Sequence, residues 1–421
     1  MRAWIVALVA LTMSVPAAAQ EAPSPALDVQ PAPGIVDLLG LTGAVRAGYW
    51  SSTRKLDSEA PLGAGMLWLK SSRRVSKRVS FLAEGWTSLQ GPFEDGRATG
   101  ELREAFVDLR FGKLDVRAGR QIIAWGRADG VNPTDNLSGQ DLTLLVPDDA
   151  DRRLGSTAVR ASYLIGDVSI AGVWLPEFRG HEFALPAPPP GVLFTREREQ
   201  WPGDQWALRV EQTGRTVDWS VSYFDGKDLS PDLTVAAGLQ ARPGEPSRML
   251  LSHHRIRVIG GDMTANLGRF GLRAEGAYVG TEDTEGRDPS TKNPFVFVVA
   301  GTDRTFGGQL NLNVQYLYRH VHHSGTPDSV QDVLNSQTQA VQHGASFRIA
   351  YKWLHDTLEA ECAAVAYAGP RGGALRPKVV YAVTDSWKVL AGAEILRGQS
   401  SSLFGLMERN SAGYAELRWS F

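Results

Sequence analysis

The sequence predicts an all-β fold, a transmembrane antiparallel β-barrel of about eighteen strands, with about sixteen as the alternative count. Three observations lead to this prediction. Apolar and polar residues alternate along many segments of roughly ten residues, which is the two-residue period of a β-strand. Short and longer connections alternate between these segments. After the N-terminus, no apolar run approaches the ~20 residues that a spanning helix requires.

The N-terminus has the features of a secretory signal peptide. An early arginine is followed by an apolar core, Trp4–Val15, and by a small-residue cleavage site, Ala17–Ala19. We expect residues 1–19 to be removed by cleavage after Ala19, and residues 20–40 to form a flexible periplasmic leader rich in proline and alanine. The alternative, a single membrane anchor, is disfavoured because the apolar core is too short to span a bilayer.

The alternation of apolar and polar residues predicts where the individual strands lie in the sequence. In Val217–Tyr223, valine, tryptophan and tyrosine alternate with aspartate and serine, and in Leu310–Tyr318 apolar residues alternate with asparagine and glutamine. The predicted strands are 41–50, 62–70, 78–90, 101–111, 114–123, 155–164, 167–175, 205–213, 215–224, 253–266, 269–280, 295–305, 308–319, 342–353, 357–367, 373–383, 387–396 and 412–421. An even number of strands is typical of single-chain bacterial barrels.

The connections carry a second signal. Each short turn is followed by a longer connection, of which 124–154, 176–204 and 225–252 are the longest. Outer-membrane barrels have short periplasmic turns and longer outer loops, whereas a soluble sandwich has no reason to alternate them. The pattern therefore predicts that residues 41–421 form a barrel in the cell outer membrane, with both termini in the periplasm.

The last strand carries an assembly signal. Leu417, Trp419 and Phe421 share one face, and a terminal phenylalanine with apolar or aromatic residues at alternate positions resembles the signal by which outer-membrane barrels are recognised. The barrel-assembly machinery is therefore an expected partner. Tryptophan and tyrosine near many strand ends are typical of the aromatic girdles that contact outer-membrane lipid and lipopolysaccharide.

The polar face of the strands is heavily charged, which predicts a wet or plugged interior because unpaired charges are costly in a dry core. A barrel of this size encloses an aqueous channel, and rings of arginine and lysine in such a channel favour anions. The predicted basic ladder consists of Arg348, Lys352, Arg376, Lys378 and Lys388. In the alternative interpretation, these cations neutralise glutamates on neighbouring strands (Glu359, Glu361 and Glu394).

Loop 124–154 is the segment around which the function is expected to be organised. Loops of this length are functional or disordered, and apolar residues such as Trp125 and Leu144 argue against disorder. We predict that the loop folds into the lumen as a constriction, where acidic loop residues face the basic wall; the alternative is a loop that only caps the barrel. The predicted constriction residues are Arg127, Asp129, Asn132, Asp135, Asp148, Asp149, Asp151, Arg152 and Arg153.

Several function classes are disfavoured. The net charge of −2 lacks the basic bias of a nucleic-acid-binding protein, and the single cysteine excludes an internal disulfide. No nucleophile or zinc-hydrolase motif occurs, so we expect no enzyme, cofactor or metal site. Three alternatives stay open: an enzyme site at the barrel rim, a metal site at the histidines near 253–254 and 320–323, and calcium at Asp148–Asp151, which lacks the spacing of a calcium loop.

Three motifs resemble a family of Gram-negative, outer-membrane, porin-like barrels whose members are uncharacterised. The motifs are GRQIIAWGRADGVNPTD at 119–135, YKWLHDTLEA at 351–360 and FGLMERNSAGYAELRWSF at 404–421. The resemblance covers most of the mature chain. It implies an outer-membrane barrel with a long inner loop, supplies no substrate, and leaves an apolar cargo open.

The expected function is a channel for passive or facilitated passage of small polar or anionic solutes. One alternative is a plugged structural or docking barrel of an envelope export system. Another is a transporter of hydrophobic compounds, for which Leu142–Val146 is the only candidate path. The small solutes are the expected ligands, and a homotrimer, common among porins, is an open alternative that no stretch of the sequence specifies.

Overall fold

A computed structural model describes residues 39–52, 62–90, 97–144, 146–183, 192–197, 201–235, 247–324, 330–335 and 339–421. The predicted signal peptide, residues 1–19, and most of the predicted leader, 20–40, lie outside the described residues.

Eighteen strands form one closed antiparallel sheet. The barrel strands are β1 (Leu41–Ser52), β2 (Leu62–Arg74), β3 (Val79–Gln90), β4 (Arg97–Phe111), β5 (Leu114–Gln121), β6 (Ser156–Ile165), β7 (Val168–Leu175), β9 (Gln205–Gln212), β10 (Val217–Lys227), β13 (Arg255–Leu267), β14 (Phe270–Thr281), β15 (Phe295–Phe306), β16 (Leu310–Val321), β17 (Val341–Trp353), β18 (Leu358–Ala368), β19 (Arg371–Ala382), β20 (Trp387–Gly398) and β21 (Ala412–Ser420). The barrel closes where β1 pairs with β21, from Ala44 opposite Ser420 to Ser52 opposite Ala412. The predicted fold class and strand count are confirmed.

A second, three-stranded sheet lies within the predicted long connections. It consists of β8 (Val192–Arg196), β11 (Asp232–Val235) and β12 (Ser247–Ser252), with β12 antiparallel to β11 and parallel to β8. Sequence reasoning missed these strands because segments of four to six residues are too short to establish a two-residue period. Short helices occur at Val330–Leu334 and Leu403–Leu406, and no helix in the described ranges is long and apolar enough to cross a membrane.

The two faces of the barrel differ as alternation predicts. On β1, the outward Val45 is 44% exposed, whereas the adjacent inward Arg46 is 7% exposed. Large apolar residues are exposed outward around the whole circumference, as a bilayer-covered surface requires. The exposed residues include Leu67, Val107, Tyr163, Trp174, Trp206, Val221, Met263, Tyr278, Val314, Phe347, Val379, Trp387 and Trp419.

An apolar core lies inside the barrel, on the inner wall at the loop end of several strands. It joins Ile123, Trp125 and Leu137 of the long loop to inward residues of β6, β7, β9, β10, β13 and β14, such as Phe224 and Val279. A buried tryptophan of this kind removes about 150–250 Å² from water, at roughly 25 cal/mol per Å². Burial of these apolar side chains therefore favours entry of the loop into the lumen.

Candidate pore constriction

The long loop leaves the wall at the end of β5 and is fastened by one buried carboxylate. Glu275 on β14 is 2% exposed. Its oxygens accept hydrogen bonds from the backbone N–H groups of Arg127 (2.9 Å), Ala128 (3.0 Å) and Thr134 (2.8 Å), and from the Thr134 hydroxyl (2.8 Å). A buried charge is tolerated where donors converge on it in this way.

Gly126 makes this arrangement sterically feasible. Its φ is +98°, a left-handed conformation that favours glycine, and a Cβ there would lie 2.6 Å from both oxygens of Glu275. The glycine of the motif W-G-R at 125–127 thus brings the loop backbone within hydrogen-bonding distance of the wall.

Arg127 attaches the loop to the same side of the barrel. Its guanidinium pairs with Asp262 on β13 (2.7 Å), with Glu211 on β9, and more distantly with Asp218 on β10 (3.8 Å). Asp262 is nearly fully buried and also accepts from Arg209 (3.2 Å). Arg127 is therefore an anchoring residue that lies among wall carboxylates.

Asp129 connects the loop to β16 and β17 of the wall. Its carboxylate pairs with Arg348 on β17 at 3.0 Å, and its backbone exchanges two hydrogen bonds with the Gln315 side chain on β16 (3.0 and 2.6 Å). Arg348 also pairs with Glu361 on β18 at 3.1 Å. The guanidinium thus lies between a loop carboxylate and a strand carboxylate.

The segment Asp148–Arg153, which contains a 3₁₀ turn at Asp149–Arg152, reaches the opposite wall. Its contacts are Asp148 to Lys378 (3.3 Å) and Arg418 (3.1 Å), Asp149 to Arg376, Asp151 to Arg46 (2.5 Å), and Arg152 to Glu394 (2.9 Å). Arg153 instead pairs with Asp135 of the same loop (2.6 Å). The strands β1 and β13 are separated by half of the eighteen strands in either direction. The loop therefore crosses the barrel interior.

A cavity of about 740 Å³ lies between the loop and the wall of β16 to β21. Loop carboxylates and wall cations line it together, with Glu361 and Tyr414. The charged lining residues among the predicted sites are Asp129, Asp148, Asp149, Asp151, Arg348, Arg376 and Lys378.

The remaining predicted residues lie elsewhere. Arg127, Arg152 and Arg153 hold the loop, while Asn132 and Asp135 line a separate cavity of about 370 Å³. Lys352 and Lys388 lie near the short turns at the other end of β17 and β20, outside the 740 Å³ cavity. The described part of the apolar stretch Leu142–Val146 does not line that cavity either.

Arg103 is a functional side chain that sequence alternation missed. It donates to Glu84 (2.6 Å) and to the backbone oxygens of Ala150 (2.5 Å) and Arg153 (3.3 Å), which fastens the second end of the loop. A β-bulge between Glu84 and Gly85 inserts an extra residue into β4, so the inward positions shift beyond it. Counting alternate positions along the strand could not detect that shift.

Solved proteins share this architecture. OpdK of Pseudomonas aeruginosa, described as an outer membrane protein and solved with vanillate, is 12% identical over 90% of this chain and 97% of its own, with a TM-score of 0.56. OccK5 (OpdH) of Pseudomonas aeruginosa is 10% identical over 90% and 96% (TM-score 0.54), and OccAB3 of Acinetobacter baumannii is 10% identical over 90% and 98% (TM-score 0.54). At such low identity, the similarity shows the fold alone.

No curated protein sequence matches the chain. A family model described as "Protein of unknown function (DUF1302)" matches residues 90–316. The match runs from the end of β3 into β16, so it includes the whole interior loop and Glu275. Because the match covers more than half of the chain, this chain belongs to the DUF1302 family.

Proposed function

We propose that the protein is an outer-membrane channel for small polar or anionic solutes, with loop 124–154 as its constriction. The observation that carries the proposal is the 740 Å³ cavity, which loop carboxylates and wall cations line together. The exposed apolar band supports an outer-membrane location, and so do the connections, because short turns alternate with longer loops except at the two-residue turn between β18 and β19.

The ion pairs of the interior fall into two groups with different roles. Pairs such as Arg103–Glu84 and Arg209–Asp262 are almost inaccessible to water, and breaking one is costly because it removes a close partner from a buried charge. Pairs that line the cavity are wetter: the Asp149 side chain, which pairs with Arg376, is 59% exposed. Exposed pairs contribute only about 0–1 kcal/mol, so a passing solute can exchange with either partner.

Cations on the barrel wall provide the selectivity in this mechanism. Arg348 and Lys378 both lie near Glu361, at 3.1 and 3.8 Å, and each also faces a loop carboxylate. Arginine and lysine side chains that line a pore favour anions. An anionic solute is oriented with its charge toward the wall cations as it crosses.

One observation favours a second candidate function, a plugged barrel that serves as a structural or docking component. Buried contacts at Glu275 and Arg103 fasten the loop at both ends, and Asp151 and Arg127 tie it to opposite walls. A loop held in this way can act as a permanent plug.

Single-channel recording of the refolded protein in a planar bilayer with a salt gradient separates the two candidates. Stable open steps with a reversal potential are expected. The double variant Arg348→Glu with Lys378→Glu should shift the reversal potential toward cation preference. Lys352→Glu is the matched control, since it reverses a charge on the same strand outside the cavity, and it should shift the potential less. A silent bilayer from folded, heat-modifiable protein would overturn the channel and favour the plug.

A further inference from the structure

The second interior cavity, of about 370 Å³, lies between the loop and the long-connection end of the barrel. It shares no lining residue with the 740 Å³ cavity. Asn132 and Pro133 line it on the side of the loop, and the small sheet and the helix Val330–Leu334 also contribute. Its walls are largely apolar and include Leu251, Val279, Phe295, Phe297, Val333 and Phe404.

Arg319 is the distinctive group in this cavity. It lies on the inward face of β16, between Leu317 and Val321, which are almost fully buried. Its guanidinium carbon is 4.1 Å from the centre of the Phe295 ring. Its Nε atom is buried and has no hydrogen-bond partner in the part of the chain that the structure describes.

The other charges of the cavity already have partners. Asp135 pairs with Arg153 (2.6 Å), and Asp228 pairs with Lys292 (3.2 Å). Within the described ranges, no carboxylate lies within ion-pair distance of Arg319, in contrast to the paired arginines around the 740 Å³ cavity. A guanidinium in apolar surroundings without a counter-charge is unfavourable, so an anion that enters the cavity gains a strong interaction.

We propose that this cavity binds a small amphipathic organic anion: a carboxylate that pairs with Arg319, attached to an apolar or aromatic body that packs on the phenylalanine walls. A guanidinium presents parallel N–H donors that match the two oxygens of a carboxylate. Gln342, directly opposite Arg319 in the β16–β17 ladder, and Tyr367 add polar groups at the same place. The volume lies at the lower end of the roughly 300–1,000 Å³ of small-molecule sites, so a single ring fits.

The position of the cavity gives the site a role that rests on the proposed channel function. Arg319 lies near the end of β16 that precedes the long connection to β17, and Tyr367 lies on β18 at the same end of the barrel; long connections mark the outer end in outer-membrane barrels. A solute that enters from outside reaches this cavity before the 740 Å³ cavity. The site would capture and concentrate amphipathic anions ahead of the constriction.

Isothermal titration calorimetry on the refolded protein in detergent, with benzoate, acetate and benzyl alcohol as probes, tests the site. Benzoate should bind at least tenfold more tightly than acetate, which lacks the ring, or benzyl alcohol, which lacks the charge. Arg319→Gln should weaken benzoate binding at least tenfold, and Phe297→Ala should weaken benzoate binding without changing that of acetate.

Arg304→Gln is the matched control. Arg304 on β15 also lies over phenylalanine rings, Phe270 at 4.7 Å and Phe306 at 4.4 Å, and its Nε is likewise buried without a partner among the described residues. It does not line the cavity, so the variant should bind benzoate as the wild type does.

The outcomes separate this inference from the channel. Unchanged benzoate binding by folded Arg319→Gln, or equal binding of acetate and benzoate by the wild type, would overturn the site. If the barrel conducts in the planar bilayer but does not bind benzoate, the channel function is retained and the proposed binding site is rejected. If the barrel is silent but binds benzoate through Arg319, the binding site is retained and the channel function is rejected.

Discussion

The backbone N–H of Arg127 donates to the carboxylate of Glu275 at 2.9 Å, across 148 residues of sequence. This contact joins the start of the interior loop to β14, and the neighbouring N–H groups of the loop converge on the same carboxylate. The position of the proposed constriction therefore depends on Glu275, a wall residue that does not line the 740 Å³ cavity.

Glu275→Gln should loosen the loop without unfolding the barrel. The amide has one acceptor oxygen fewer and directs N–H donors at the loop's own N–H donors, and each charge-assisted bond that is lost contributes about 1.5–3 kcal/mol. We expect noisier and larger single-channel currents, together with faster proteolysis within 124–154. Glu359→Gln on β18 is the control, and a Glu275→Gln barrel with wild-type currents and protection would contradict the anchoring role.

Gly126→Ala should have a larger effect than Gly130→Ala. Both glycines have positive φ, +98° and +81°, so both substitutions strain the backbone. Only the Cβ at Gly126 meets other atoms, the two oxygens of Glu275 at 2.6 Å and Nδ2 of Asn132 at 2.7 Å, whereas no atom lies within 4 Å of a Cβ at Gly130. The difference in urea midpoint between the two variants reports mainly on this clash, and equal midpoints would show that the loop does not approach Glu275 closely.

Arg103→Met should destabilise the folded barrel by about 1.5–3 kcal/mol, because it removes the closer of the two cations that pair with the buried Glu84, the other being Lys70. The matched comparison is Arg397→Met, which breaks an exposed pair with Glu408 and should cost about 0–1 kcal/mol. Urea unfolding in lipid vesicles measures both. Similar losses for the two variants would mean that Arg103 does not fasten the loop and the wall.

The three-stranded sheet of β8, β11 and β12 should lose stability as the pH rises above neutrality. A hydrogen bond from His254 to Asp232 (2.8 Å) raises the pKa of this histidine, while burial and Lys292 act in the opposite direction and Glu282 adds to the rise. A histidine whose pKa is higher in the folded state stabilises that state below its unfolded pKa of about 6.5, and the contribution is lost as the pH rises through the folded pKa.

Hydrogen exchange of β11 and β12, corrected for intrinsic rates, should therefore be slower near pH 6.5 than near pH 8.5. His254→Gln should remove the difference, and an unchanged pH dependence in that variant would rule out this histidine as its source. His181 does not interfere, because burial lowers its pKa to about 4 and its contribution to stability is lost only as the pH falls below about 6.5.

Strand positions could be predicted to within a few residues because they depend on a local period. The segment 295–305 is Phe295–Phe306 in the structure, and 412–421 is Ala412–Ser420. The same reasoning failed where the local signal is absent or misleading. The strands of the small sheet are too short to show a period, and the bulge at Glu84 and Gly85 shifts the inward positions of β4.

The sequence by itself determined the barrel, its strand count and its inward polar face, because alternation and connection length are properties of neighbouring residues. Only the tertiary structure decided which wall residues meet the interior loop. Glu275, Arg103 and Arg46 reach the loop from strands distant in sequence, and closure of the sheet sets which strands face each other. The two cavities and the unpaired Arg319 likewise arise from packing between these distant segments, which no local pattern encodes.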